Sequence, residues 1–309
     1  MKRCSSADSD LRFRNPDHVS KTLSVPTPDG ARLRVQIYGP DEADTIVFAH
    51  GISCRLEYWN PQINAMRERF RVVVYDQRGH GRSELGTTKL GTDVLADDLH
   101  EVLKATVNPG KAAVLVGHSM GGITIMAWAQ RYPDSVREYA SKVILASTTT
   151  GGLAGVPGIP PILRSQPLLP IGLYLFSRFM PRTRLLHGAF RCIAQTLDAA
   201  PSTVEFGATM VLDCDRQARA QWIWSLRHCD VSRGLQHLRV PTTVIGGCED
   251  KLVSPRRNEL IANDIARNGY LERHISIPDA GHCVNLEAID EFNGALLHVI
   301  IGAGGAAAS

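Results

Sequence analysis

The chain has 309 residues, 44% of them hydrophobic and 21% charged, the balance of a globular protein with a sizeable core rather than of a disordered or fibrous one. Lys+Arg 34 against Asp+Glu 31 leaves a formal net charge of +3 without a long basic run, which argues against nucleic acid as a partner. Seven cysteines, Cys4, Cys54, Cys192, Cys214, Cys229, Cys248 and Cys283, are scattered with no Cys-x-x-Cys pair, so neither a disulfide framework nor a zinc site is expected.

Met1-Lys2-Arg3-Cys4 runs into polar residues rather than an apolar signal core, and the reduced-thiol pattern suits a cytoplasmic protein. Residues 1–19 are polar and charged and are expected to form a loose leader. Lys21 to Val25 and Ala31 to Tyr38 read as an antiparallel hairpin across the turn Thr27-Pro28-Asp29-Gly30. Thr45 to Ala49 and Arg71 to Tyr75 are short continuous apolar runs, as strands covered on both faces require. A helix is expected over Pro61 to Phe70, and an amphipathic one over Thr92 to Ala105. Val114-Leu115-Val116 is a further buried strand, followed by a helix from Ile123, and Lys142 to Ser147 is the next strand. Strands alternating with helices define an α/β class with a mostly parallel sheet and helices on both faces.

That rhythm breaks at Thr148. Gly151 to Pro181 is rich in Gly, Pro, Leu and Ile, and the chain on to about Gln236 reads as helical. Arg164 and Arg178 interrupt the apolar run and Pro161, Pro167 and Pro170 break it, so the about 20 uninterrupted apolar residues of a membrane span are not available. The predicted organisation is a core of residues 20–147 and 237–301 with an inserted, mostly helical cap at 148–236. The sheet resumes at Thr242 to Gly247, followed by a helix over Pro255 to Arg267, a last strand over Leu271 to Ile277 and a final helix over Asn285 to Ile300.

The order strand, Gly117-His118-Ser119-Met120-Gly121, helix places a serine on a sharp turn, with glycines where strand and helix approach closely. The helix behind it directs free N–H groups toward any oxyanion formed there, which makes Ser119 the candidate nucleophile. In a parallel sheet, ligands collect beyond the carboxyl ends of the strands. Four such ends carry His50-Gly51, Ser119, Asp250 and His282. A serine hydroxyl needs a base, histidine suits neutral pH, and the histidine needs a carboxylate to fix its tautomer. His118 and Glu249 compete for these two roles, with packing the expected task of His118 and an outward direction expected for Glu249. Arg78 and His80 are expected to brace the loop after the Arg71 to Tyr75 strand, and Cys283 to be a small packed thiol.

These segments, with Asp76-Gln77-Arg78-Gly79-His80-Gly81-Arg82-Ser83 and Gly247-Cys248-Glu249-Asp250, resemble the α/β-hydrolase family of esterases, lipases and perhydrolases over about residues 20 to 300. The resemblance implies Ser119 as nucleophile, His282 as general base and Asp250 as its orienting acid. It also implies an oxyanion hole from the Ile52 and Met120 backbone N–H groups, with neither metal nor organic cofactor. Serine at the elbow sets the chain apart from the aspartate-using dehalogenases and epoxide hydrolases that the fold also resembles. The expected activity is hydrolysis of carboxylic esters, with apolar acyl substrates suggested by the aliphatic run from Leu153 to Phe176 and lipid-surface contact through the same cap. Thioesterase or carbon–carbon bond hydrolase chemistry, cofactor-independent perhydrolysis and non-catalytic ligand binding are the alternatives, and the oligomeric state is open.

Overall fold

The computed structural model describes residues 11–108, 110–151, 191 and 194–302. Eight strands form one sheet: β1 (Lys21–Pro26), β2 (Arg32–Tyr38), β3 (Thr45–Ala49), β4 (Arg71–Tyr75), β5 (Ala113–His118), β6 (Ala140–Ala146), β7 (Thr242–Gly247) and β8 (Leu271–Ile277). Their order is β1-β2-β4-β3-β5-β6-β7-β8. The β1–β2 hairpin is antiparallel and β2 pairs antiparallel to β4, whereas every pairing from β4 to β8 is parallel. Every residue of β3, β4, β5 and β7 is buried, as their continuous apolar runs require. Alternation of side chains then feeds two cores. Val47, Val73 and Leu115 face one, and Ile46, Val72 and Val114 face the other.

The helices of the core are α1 (Asn60–Met66), α2 (Thr92–Thr106), α3 (Met120–Arg131), α6 (Pro255–Arg267) and α7 (Ile289–Ile301), with α4 (Pro201–Asp213) and α5 (Arg216–Leu226) between β6 and β7. Two helices differ from expectation. The one predicted to reach Phe70 ends at Met66, where residues 67–70 turn and the Arg67 and Phe70 carbonyls lie against Gly39, whose φ is +82°. A Cβ there would come 2.5 Å or less from both carbonyl oxygens, so this close passage fixes the helix end. The single helix predicted from Asn285 is a short turn, Val284–Glu287, and then α7. The chain leaves helical geometry at Ala288 (φ −123°, ψ 60°), which frees the Asn285 carbonyl to accept a 3.1 Å bond from Gln62 Nε2. Leu56–Trp59 forms a 3-10 turn that periodicity did not announce.

Between β6 and β7 the expected helical character is present in α4 and α5, whereas the aliphatic run from Leu153 to Phe176 lies outside the described residues. Asp215 caps α5 by accepting from the Ala218 N–H at 2.8 Å. Trp222 of α5 is fully buried and its indole N–H donates to the Arg78 carbonyl at 2.9 Å. No helix among the described residues is long and apolar enough to cross a membrane.

Candidate active site

Ser119 sits between β5 and α3 with φ 53° and ψ −114°, a left-handed conformation that a serine adopts only when its surroundings enforce it. Its N–H donates to the Ala146 carbonyl at 3.0 Å, and its own carbonyl accepts from Thr148 Oγ1 at 2.7 Å and from the Gly122 N–H at 3.0 Å. The glycines are steric necessities: a Cβ on Gly121 would lie 2.0 Å from the Ala49 carbonyl oxygen, and one on Gly117 2.5 Å from that of Gly121. The strained turn is thus held between the neighbouring strands β3 and β6, and Ser119 stays partly exposed.

His282 follows β8 and Asp250 follows β7, and their side chains meet at 2.9 Å, His282 Nδ1 donating to Asp250 Oδ2. The other carboxylate oxygen accepts the Leu252 and Val253 N–H groups, each at 2.8 Å. Asp250 is therefore buried with all its interactions directed, whereas Glu249 is exposed, as expected.

The loop after β3 approaches the elbow so closely that a Cβ on Gly51 would stand 3.3 Å from Ser119 Cβ. Two buried imidazoles hold that loop. His50 Nε2 accepts from the Gln77 N–H and His80 Nε2 from the Ser53 N–H, both at 3.0 Å, while their Nδ1 atoms donate to the Gly51 and Arg78 carbonyls. Both rings are consequently neutral Nδ1–H tautomers. Ser53 itself takes a positive φ of 62°. Among the described residues neither the Ile52 nor the Met120 N–H is paired with an acceptor. Arg78 braces the segment below as expected, through Asp98 at 2.6 and 2.9 Å and Asp29 at 2.8 and 2.9 Å. Cys283 is a buried thiol whose ionisation burial pushes far up.

One role escaped the sequence. His118 packs its ring 4.9 Å from that of His282 and donates from Nε2 to the His282 carbonyl at 2.8 Å, so it holds the backbone of the neighbouring histidine. Tyr58 lies against His118 and donates to Asn285 Oδ1 at 2.9 Å on the same loop. No spacing pattern connects residues 164 apart, and only the parallel pairing of the sheet brings them together. A groove of about 790 Å³ between Lys89–Thr92 and the end of α5 is lined by none of Ser119, Asp250 and His282.

Burial lowers the pKa of His118 to about 3 and of His80 to about 4, and carries that of His50 well down. Between these values and the unfolded value near 6.5, the unfolded chain binds more protons than the folded one. Stability is therefore full above about pH 6.5 and falls as pH drops toward 4, by roughly 2 kcal/mol for each of His118 and His80 between pH 7.5 and pH 5. Urea unfolding at the two pH values is expected to show a lower midpoint at pH 5, and replacement of His80 by a neutral residue should shrink the difference.

The strained turn at Ser119 and the His282–Asp250 pair thus stand after β5, β7 and β8 of one parallel sheet. Residues 44–289 match the family model of the alpha/beta hydrolase fold, and the chain belongs to that family. It is 27% identical over 283 residues to a 3-oxoadipate enol-lactonase of Acinetobacter baylyi, covering 88% of this chain and 94% of that one. It is also 27% identical over 286 residues to a bifunctional esterase/perhydrolase of Acinetobacter calcoaceticus, covering 86% of this chain and 96% of that one. Among solved structures, the enol-lactonase of Burkholderia xenovorans LB400 superimposes with a TM-score of 0.74 at 23% identity, over 91% of this chain and all of that one, a likeness of fold.

Proposed function

We propose that the protein is a serine hydrolase that cleaves carboxylic esters of apolar acyl groups through an acyl-enzyme on Ser119. The observations that carry this are the strained Ser119 after β5 and, after β8, an imidazole whose Nδ1–H is committed to Asp250 at 2.9 Å, which leaves Nε2 to serve as the base. His282 Nε2 takes the Ser119 proton as Oγ bonds to the substrate carbonyl carbon. The carbonyl oxygen becomes an oxyanion facing the Ile52 and Met120 N–H groups, donors worth on the order of 3 kcal/mol each in the transition state. Collapse breaks the bond to the leaving alcohol, which receives the proton from His282. Water, deprotonated by the same nitrogen, then releases the acid and restores the serine.

The segment 148–236 acts as a cap over this site, and its aliphatic run supplies the preference for apolar acyl groups and a surface that meets lipid. Enol-lactones and simple esters share the acyl–oxygen bond, so the names of the relatives agree with an ester substrate. The substrate is a small molecule, no metal or organic cofactor takes part, and the location is cytoplasmic, in keeping with five free cysteines among the described residues. Peroxide in place of water at the acyl-enzyme is the second reading, favoured by the esterase/perhydrolase relative.

A panel of p-nitrophenyl esters from acetate to decanoate, run beside matched acyl thioesters, tests the assignment. The expected result is a rise in kcat/KM from acetate to medium chains and slower thioester cleavage. Faster turnover of acetate than of every longer chain would refute the apolar pocket, and absence of labelling by a fluorophosphonate would refute the nucleophile. Halide-dependent bromination with peroxide and acetate identifies the perhydrolase branch.

A further inference from the structure

His282 is flanked by two residues that touch one carboxylate. The Cys283 N–H donates to Glu287 Oε1 at 3.1 Å, and a Cβ on Gly281 would lie 3.0 Å from the same oxygen. The other oxygen, Oε2, accepts the Thr196 N–H at 2.7 Å, in the segment between β6 and β7. A second bond ties the same two pieces of chain, from the Cys283 N–H to the Ala194 carbonyl at 3.2 Å. Gly281 is pressed between the carboxylate and the Gln195 backbone, within 3.1 Å of a Cβ on either side.

Glu287 has no cationic partner among the described residues, although it is half-buried and burial raises its pKa. A carboxylate reaching back to the N–H at the start of its own helical turn is an ordinary cap. Such a cap uses one oxygen. Here the second oxygen is committed to a backbone 91 residues away in sequence, in the region proposed as the cap of the site. An ionised carboxylate is the side chain that can accept from two separate main chains at once.

We propose that Glu287 is a positioning residue: by bridging the Cys283 and Thr196 N–H groups, it makes the placement of the His282 imidazole depend on how the 194–196 segment is seated. The inference rests on the reading of His282 as general base. Loss of the bridge leaves Ser119, Asp250 and the oxyanion donors in place but frees the backbone on both sides of the base. The consequence belongs in kcat, because a displacement of about 1 Å at a reacting group lowers rate by on the order of tenfold to a hundredfold without changing what the pocket binds.

Glu287→Gln in the full chain is the test, since the amide offers one acceptor where two are needed. The expected result is a kcat for p-nitrophenyl butyrate on the order of tenfold lower, KM within about twofold, and fluorophosphonate labelling slowed in step with kcat. Hydrogen exchange should accelerate together at residues 281–284 and 194–197. A variant with wild-type kcat and only a lowered melting temperature overturns the proposal and leaves Glu287 an ordinary cap. Should Glu287→Gln not fold, the wild-type exchange rates decide: the Cys283 and Thr196 amides must be protected and open as one unit, and independent opening overturns it. If the wild type neither cleaves esters nor takes the fluorophosphonate, the serine-hydrolase reading fails and these exchange rates still decide the bridge.

Discussion

Ser119→Ala is expected to lower kcat for ester hydrolysis by roughly 10⁵- to 10⁶-fold and to abolish fluorophosphonate labelling. The loss is this large because, in the proposed reaction, the hydroxyl oxygen is the atom that bonds to substrate. What remains afterwards is attack by water within a site that still offers its oxyanion donors, which accounts for a residual of about 10³-fold over the uncatalysed reaction. Stability should move differently from activity. The backbone at 119 keeps φ 53° whatever the side chain, held by the Ala146 and Thr148 bonds, so alanine inherits the strain. Glycine does not, and Ser119→Gly is expected to be more stable than Ser119→Ala by about 1 kcal/mol, measured by urea unfolding. Equal stability of the two variants would mean that the elbow is not strained. Retention of more than a hundredth of wild-type kcat by Ser119→Ala would remove Ser119 from the chemistry.

How much of this was legible in the sequence depends on the range over which each cause acts. The strands β3, β4, β5 and β7 were legible because burial on both faces demands a local apolar run, and β7 and β8 fall where expected, at Thr242–Gly247 and Leu271–Ile277. Ser119, Asp250 and His282 stand directly after or within a few residues of β5, β7 and β8, strand ends that the apolar runs already mark. The break at Ala288 and the early end of α1 were not legible, because both follow from contacts with distant chain: Gln62 against the Asn285 carbonyl, and Gly39 against Arg67 and Phe70. The bond from His118 to the His282 carbonyl is of the same kind. Packing was the expectation for His118, and packing is present, but its ring nitrogen also anchors the residue next door in space. Arg78 was read as a brace from its place after β4, yet its two carboxylate partners come from a hairpin turn and a helix that no local pattern couples to it.

Asp250→Asn is expected to lower kcat by on the order of 10⁴-fold while leaving the fold intact, and the reason lies in how the carboxylate is used. One oxygen accepts the Leu252 and Val253 N–H groups at 2.8 Å, and the other accepts His282 Nδ1–H at 2.9 Å. An asparagine in the same place has one way to avoid a donor facing two donors: its carbonyl takes the backbone pair, and its amide is left toward the imidazole. The amide donates, so Nδ1 becomes an acceptor and the ring proton moves to Nε2. The nitrogen proposed to take the serine proton then carries one already and has no lone pair with which to accept another. Backbone bonding at 252 and 253 survives, so the unfolding midpoint should change little even as the rate collapses. Glu249→Gln provides the contrast, because that side chain is exposed at the adjacent position and is expected to keep kcat within about twofold. A collapse of kcat in Glu249→Gln with near-normal turnover in Asp250→Asn would transfer the acid's role to the neighbour and reverse this assignment.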